Sequence, residues 1–127
     1  TAVENMKVGS QIDFYVYSQS EVKDASLILV AASLLRAQDG SQTYDTKFND
    51  QYSLSVDDQP VSVSDETMIK GRQANGDRIW FLWTENLICN LDLKAGYTKI
   101  TLKCTGLIKD HDGSGRAANI DKINIKF

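Results

Sequence analysis

Residues 91–106 read LDLKAGYTKITLKCTG. Apolar and polar residues alternate on both sides of Lys94-Ala95-Gly96-Tyr97, and period-2 alternation around a glycine turn is a strand–turn–strand signature. A polar loop, KDHDGSGRAAN at 109–119, separates this unit from a last alternating run, IDKINIKF at 120–127. With Gly96-Tyr97 as a hairpin turn, Cys89 faces Cys104 across it. Leu87, Cys89, Leu91 and Leu93 then share one face, as do Ile100, Leu102 and Cys104, and both thiols point into the core. Such a pair is either two inert buried thiols or a cross-strand disulfide, which needs Cβ atoms about 3.8 Å apart. The redox compartment therefore stays open at this point.

The same pattern extends upstream. Ile12, Phe14 and Val16 alternate with Asp13, Tyr15 and Tyr17, while Leu27 to Ala32 is continuously apolar, as a central strand covered on both faces should be. Tyr52, Leu54 and Val56 alternate with serines, and Asp57-Asp58-Gln59-Pro60 makes the next turn. Further strands fit Val61–Val63, Met68–Gly71 and Ile79–Thr84, with Asn75-Gly76-Asp77 turning between the last two. Helix formers are concentrated only in AASLLRAQ at 31–38, which suits a helical turn. Arg36 to Gln51 is a long polar loop with Tyr44 and Phe48 embedded, and loops of that length in compact domains are often functional. Several short strands at this spacing predict an all-β fold, an antiparallel β-sandwich.

A chain of 127 residues, 42% hydrophobic with a single proline, fits one globular domain spanning 1–127. The formal net charge is −3 and no basic run stands out, which argues against a nucleic-acid partner. No apolar stretch approaches the ~20 residues of a membrane span. Lacking an initiator Met and a signal sequence, the chain reads as a piece of a larger protein whose other domains are its neighbours.

Catalysis finds little support. The one histidine, His111, lies in the polar loop, no serine occupies a Gly-x-Ser-x-Gly elbow, and Gly113-Ser114-Gly115 lacks the context of a nucleotide fingerprint. The chain is read as a non-enzyme. Asp121 shares strand parity with Ile123, Ile125 and Phe127 and is expected to point inward. That placement costs several kcal/mol unless the carboxylate caps backbone amides or binds a cation such as calcium. Asp110-His111-Asp112-Gly113 echoes half of a calcium loop but lacks its distal Glu. Trp80 and Trp83, an odd number of residues apart, fall on opposite faces of a strand, so one indole can remain at an edge. Sugar rings stack on such faces.

Taken in order, Val8-Gly9-Ser10, the strand Leu27–Ala32, Trp80-Phe81-Leu82-Trp83, Leu93-Lys94-Ala95-Gly96 and Asn119-Ile120-Asp121 resemble carbohydrate-binding modules of families 6 and 35 along most of the chain. The resemblance implies a jelly-roll sandwich of the galactose-binding-domain-like kind. It also implies non-catalytic binding of polysaccharide in loops at one edge, within a secreted or cell-surface protein that degrades polysaccharide. It points to Trp83 or Trp80 as the stacking residue, to Asn119 as a hydrogen-bonding residue, and to Asp121 in a structural calcium site. Tyr44 and Arg116 are lesser contributors, Arg116 by pairing bidentately with an acidic sugar. Three departures stand beside it. The chain starts after the position of the family's N-terminal strand with its Glu-x-Glu pair, Phe14 stands where family 6 often has a stacking tyrosine, and the loop from Asp110 to Ala118 is long. The rival reading is a structural or adhesion sandwich without a sugar site, and exposure of a tryptophan at the loop edge separates the two.

Overall fold

A computed structural model describes residues 6–33, 44–74, 80–110 and 113–127, with backbone alone at 73, 74, 80 and 81. In chain order the strands are β1 (Gln11–Ser18), β2 (Val22–Ala32), β3 (Thr46–Lys47), β4 (Tyr52–Val56), β5 (Gln59–Val61), β6 (Met68–Ile69) and β7 (Gln73–Ala74). They continue as β8 (Trp80–Phe81), β9 (Thr84–Leu93), β10 (Gly96–Cys104), β11 (Ile108–Lys109), β12 (Gly115–Arg116) and β13 (Asn119–Lys126). Among the described residues the only helical element is a 3-10 turn, Phe48–Asp50. Residues 34–38 of the expected helical turn, the Asn75-Gly76-Asp77 turn and His111 lie outside the described residues.

Two antiparallel sheets carry the fold, one ordered β1-β10-β4-β5 and the other β13-β2-β9. Alternation decides their inner faces. Ile12, Phe14 and Val16 of β1, Leu54 of β4, and Ile100, Leu102 and Cys104 of β10 meet Leu27, Leu29, Ile88, Leu91, Ile120, Ile123 and Ile125 of the other sheet in one cluster. A void of only about 10 Å³ between them is lined from both sheets, by Phe14, Leu54, Ile100 and Leu102 against Leu27, Leu29, Ile88 and Ile123. Two sheets closing on one apolar layer make a β-sandwich-like architecture. From Leu27 to Ala32 the central strand β2 is buried on both faces as its apolar run predicts, with Ile28, Val30 and Ala32 on one side and Leu27, Leu29 and Ala31 on the other.

The stretch from 91 to 106 folds differently from the hairpin it resembles. β9 pairs with β2, and β10 pairs with β1 and β4. The Lys94–Gly96 turn is therefore an arch that carries the chain from one sheet to the other, with Gly96 at φ 94°, a left-handed value that glycine adopts at little cost. Cys89 and Cys104 sit in different sheets and are both free thiols.

Two bulges overturn two parity arguments. The β2–β9 register slips between Leu27 and Ile28, from Cys89 to Leu87. Ile88 is thereby turned into the core and Leu87 out to solvent, with 58% exposure. The β13–β2 register likewise slips between Ile120 and Lys122. Ile120 points inward, and Asp121 is the extra, half-buried residue rather than an inward member of the Ile123–Ile125 row.

Candidate functional site

One end of the three-stranded sheet gathers the expected residues. Asn119 pairs with Ala32, and Thr84 pairs with Ala31. The last residues of β2 are therefore flanked by Asn119 on one side and by the chain leaving Trp83 on the other. Trp83 is not in a strand: β8 ends at Phe81 and β9 starts at Thr84. Strand parity does not govern it, and the side chains of both Leu82 and Trp83 are 45% exposed.

Tyr44 reaches the same end through hydrogen bonds. The Ser33 hydroxyl, immediately after β2, donates to the Tyr44 carbonyl at 3.3 Å. Gly71 lies so close to the Tyr44 backbone that any side chain there would collide with it. The Asp45 carboxylate accepts from the Gly71 amide at 3.1 Å and from the Arg72 guanidinium at 2.7 Å. Partial burial pushes that carboxyl up, but these two donors outweigh it and hold it below the usual carboxylate range. Segment 70–72 then ties to the tryptophan side. The Leu82 amide donates to the Arg72 carbonyl at 3.1 Å, and the Thr84 hydroxyl reaches the Ala31 and Lys70 carbonyls at 3.1 and 3.3 Å. Tyr44 is 38% exposed, so two aromatic side chains face solvent around the end of β2.

Asn119 is buried, and its position is fixed by its neighbour. The Ala118 amide donates to the buried Gln51 side chain at 2.8 Å, and the Ala118 carbonyl accepts from the Tyr52 hydroxyl at 2.5 Å. Beyond Asn119 an open cleft of roughly 500 Å³ is lined by Lys7, Val8, Leu107, Arg116 and Asn119. Arg116 is held there by Asp110, whose buried carboxylate accepts from Nε at 3.1 Å. Trp80 pairs with Ala74 through its backbone, and its side chain lies outside the described residues. Asp121 stands at its bulge, and among the described residues no three or more His, Cys, Asp or Glu side chains gather as a metal site.

A second aromatic surface was not anticipated. Tyr15, Tyr17 and Tyr97 are 65%, 59% and 65% exposed on the outer face of the four-stranded sheet, with the rings of Tyr17 and Tyr97 5.2 Å apart. They lie near the Gly96 arch, at the end opposite Trp83, because Tyr17 pairs with Tyr97 while β9 begins at Thr84. Outward parity of Tyr15 and Tyr17 was readable in the sequence. Tyr97 is hidden at the sequence level because Gly96-Tyr97 reads as a turn. Comparison of the chain with protein-family models, with curated proteins and with solved structures finds no match in any of the three.

Proposed function

We propose that this domain binds carbohydrate without catalysis, at the end of the three-stranded sheet where Trp83, Tyr44 and Asn119 converge. The observation that carries the reading is that convergence: three residues from distant segments meet around the end of β2, two of them with exposed aromatic rings. An indole face takes the C–H groups of a pyranose, and Asn119 and Arg116, which line the cleft beyond the end of β2, would offer an amide and a guanidinium to hydroxyls or a carboxylate further along the same sugar chain. Arg116, already oriented by Asp110, suits the acidic edge of such a ligand. On this reading the architecture is a jelly roll of the galactose-binding kind, and the domain tethers a secreted or cell-surface polysaccharide-degrading protein to its substrate. Asp121 and a structural calcium belong to the same proposal. Stacking on Trp83 does not require the ion.

The test is tryptophan fluorescence during titration with a panel of plant and microbial polysaccharides, run with calcium and with chelator. The expected result is a saturable shift with at least one glycan, lost in Trp83→Ala while the variant keeps its far-ultraviolet spectrum. Loss of the shift in chelator assigns calcium a role, and its persistence removes the ion alone. A folded chain that responds to no glycan sinks the proposal in favour of a structural module.

A further inference from the structure

The core is not closed on every side. β1 pairs only with β10, and β13 only with β2, so among the described residues each has a free edge. The two edges border one groove of roughly 450 Å³, lined by Phe14 and Val16 from β1, by Ile123 and Ile125 from β13, and by Phe127 just beyond it. Phe14, Val16, Ile123 and Ile125 face the core yet remain half-buried. Their counterparts Leu27, Leu29, Leu54, Ile100 and Leu102 are all 4% exposed or less.

The other edges are managed. β5 is three residues long and carries Pro60, which has no amide to donate. β9 is approached by the segment after β6, where the Lys70 amide donates to Asn86 at 2.9 Å. A long free edge over a partly open apolar floor invites strand addition: the backbone ladder supplies affinity, and alternate pockets supply selection. Charge narrows the occupant. The outward residues Lys122 and Lys126 of β13 are exposed, and neither forms an ion pair among the described residues. A second copy pairing antiparallel about Asn124 would set Lys122 against Lys126, and like charges directly opposite destabilise a sheet.

We infer that the groove between β1 and β13 receives an extended polypeptide strand whose apolar side chains point to Ile123 and Ile125 and whose acidic side chains face Lys122 and Lys126. This does not depend on the carbohydrate reading, since the groove runs along the side of the sandwich, away from Trp83.

The probe is an end-blocked eight-residue peptide alternating Val and Glu, with a Val–Lys peptide as its counterpart, titrated into the ¹⁵N-labelled chain. Saturable amide shifts are expected in residues 122–126 and 14–17. The Val–Lys peptide should bind about tenfold more weakly, the size of two cross-strand charge pairs. In Lys122→Glu/Lys126→Glu, whose changes are on the surface, the preference should reverse. No shifts with the Val–Glu peptide, equal response to both, no reversal in the double variant, or shifts confined to the Trp83 end would each overturn the inference. So would a dimer that protects the 122–126 amides without peptide, because a second copy would then fill the groove.

Discussion

Ala118 has no side-chain chemistry, yet its peptide groups join the two sheets. Gln51 and Tyr52, at the entry to β4, satisfy its amide and carbonyl, and Ala118 leads directly into Asn119 and β13 in the opposite sheet. Gln51 is fully buried and also donates to Thr46 and to the Lys47 carbonyl, at 2.8 and 3.1 Å. Tyr52→Phe keeps the ring but leaves a buried carbonyl without its donor, and should cost about 1–3 kcal/mol in denaturant unfolding. The same substitution changes the pH response. Burial, which denies the phenolate its water, pushes the Tyr52 hydroxyl well above its ordinary value. The folded state therefore holds that proton more tightly than the unfolded chain does. The contribution is intact below the unfolded tyrosine value of about 10 and is lost as pH rises beyond it. Urea midpoints measured from pH 8 to 11 should fall more steeply above pH 10 in the parent than in Tyr52→Phe. Parallel curves would contradict the assignment.

Where one face of a strand is buried, alternation reveals it, and where both are buried a continuous apolar run does, which is why β1 and β4 were legible at 12–17 and 52–56 and β2 at 27–32. A bulge is invisible to the same logic, because one extra residue reverses the parity of everything beyond it. That is how Ile88 rather than Leu87 came to face the core and how Asp121 left the inward row. Substitution separates the two patterns: Ile88→Ala should cost about 2–4 kcal/mol, whereas Leu87→Ala should stay within about 0.5. The reverse order would restore unbroken alternation through β9. The candidate site was legible as residue types at the ends of strands. Its exposure was not, because Trp83 owes it to the break between Phe81 and Thr84. Between β4 and β5 the two turn residues Asp57 and Asp58 have φ of 47° and 66°, the type I′ pattern that favours glycine at the second position. Asp58→Gly gives up only an exposed pair with Lys99, and exposed pairs contribute little. It should raise stability by about 0.5 kcal/mol in denaturant melts, while a loss would mean that the Lys99 pair outweighs backbone strain.

A hairpin and an arch both consist of alternating strands around a glycine, so local sequence cannot distinguish them. What distinguishes them is the partner each strand finds elsewhere: β2 for β9, and β1 with β4 for β10. The consequence is mechanical. As an arch, residues 91–104 tie the sheets together, and neither sheet can leave the shared core without exposing the other's apolar face. Unfolding should therefore be a single cooperative transition. Cys104 reports on it, being fully buried in the four-stranded sheet, with burial pushing its thiol up despite the opposing Gly106 hydrogen bond. Cys89, half-buried in the other sheet, is also pushed up by burial. Thiolate is the reactive form, so alkylation of both should be slow in the native chain, with Cys104 the slower. Across a urea series the labelled fraction of Cys104 should rise at the same midpoint as far-ultraviolet circular dichroism. Labelling of Cys104 well below that midpoint would mean that the sheets part before they unfold, and that the arch is a hinge rather than a tie.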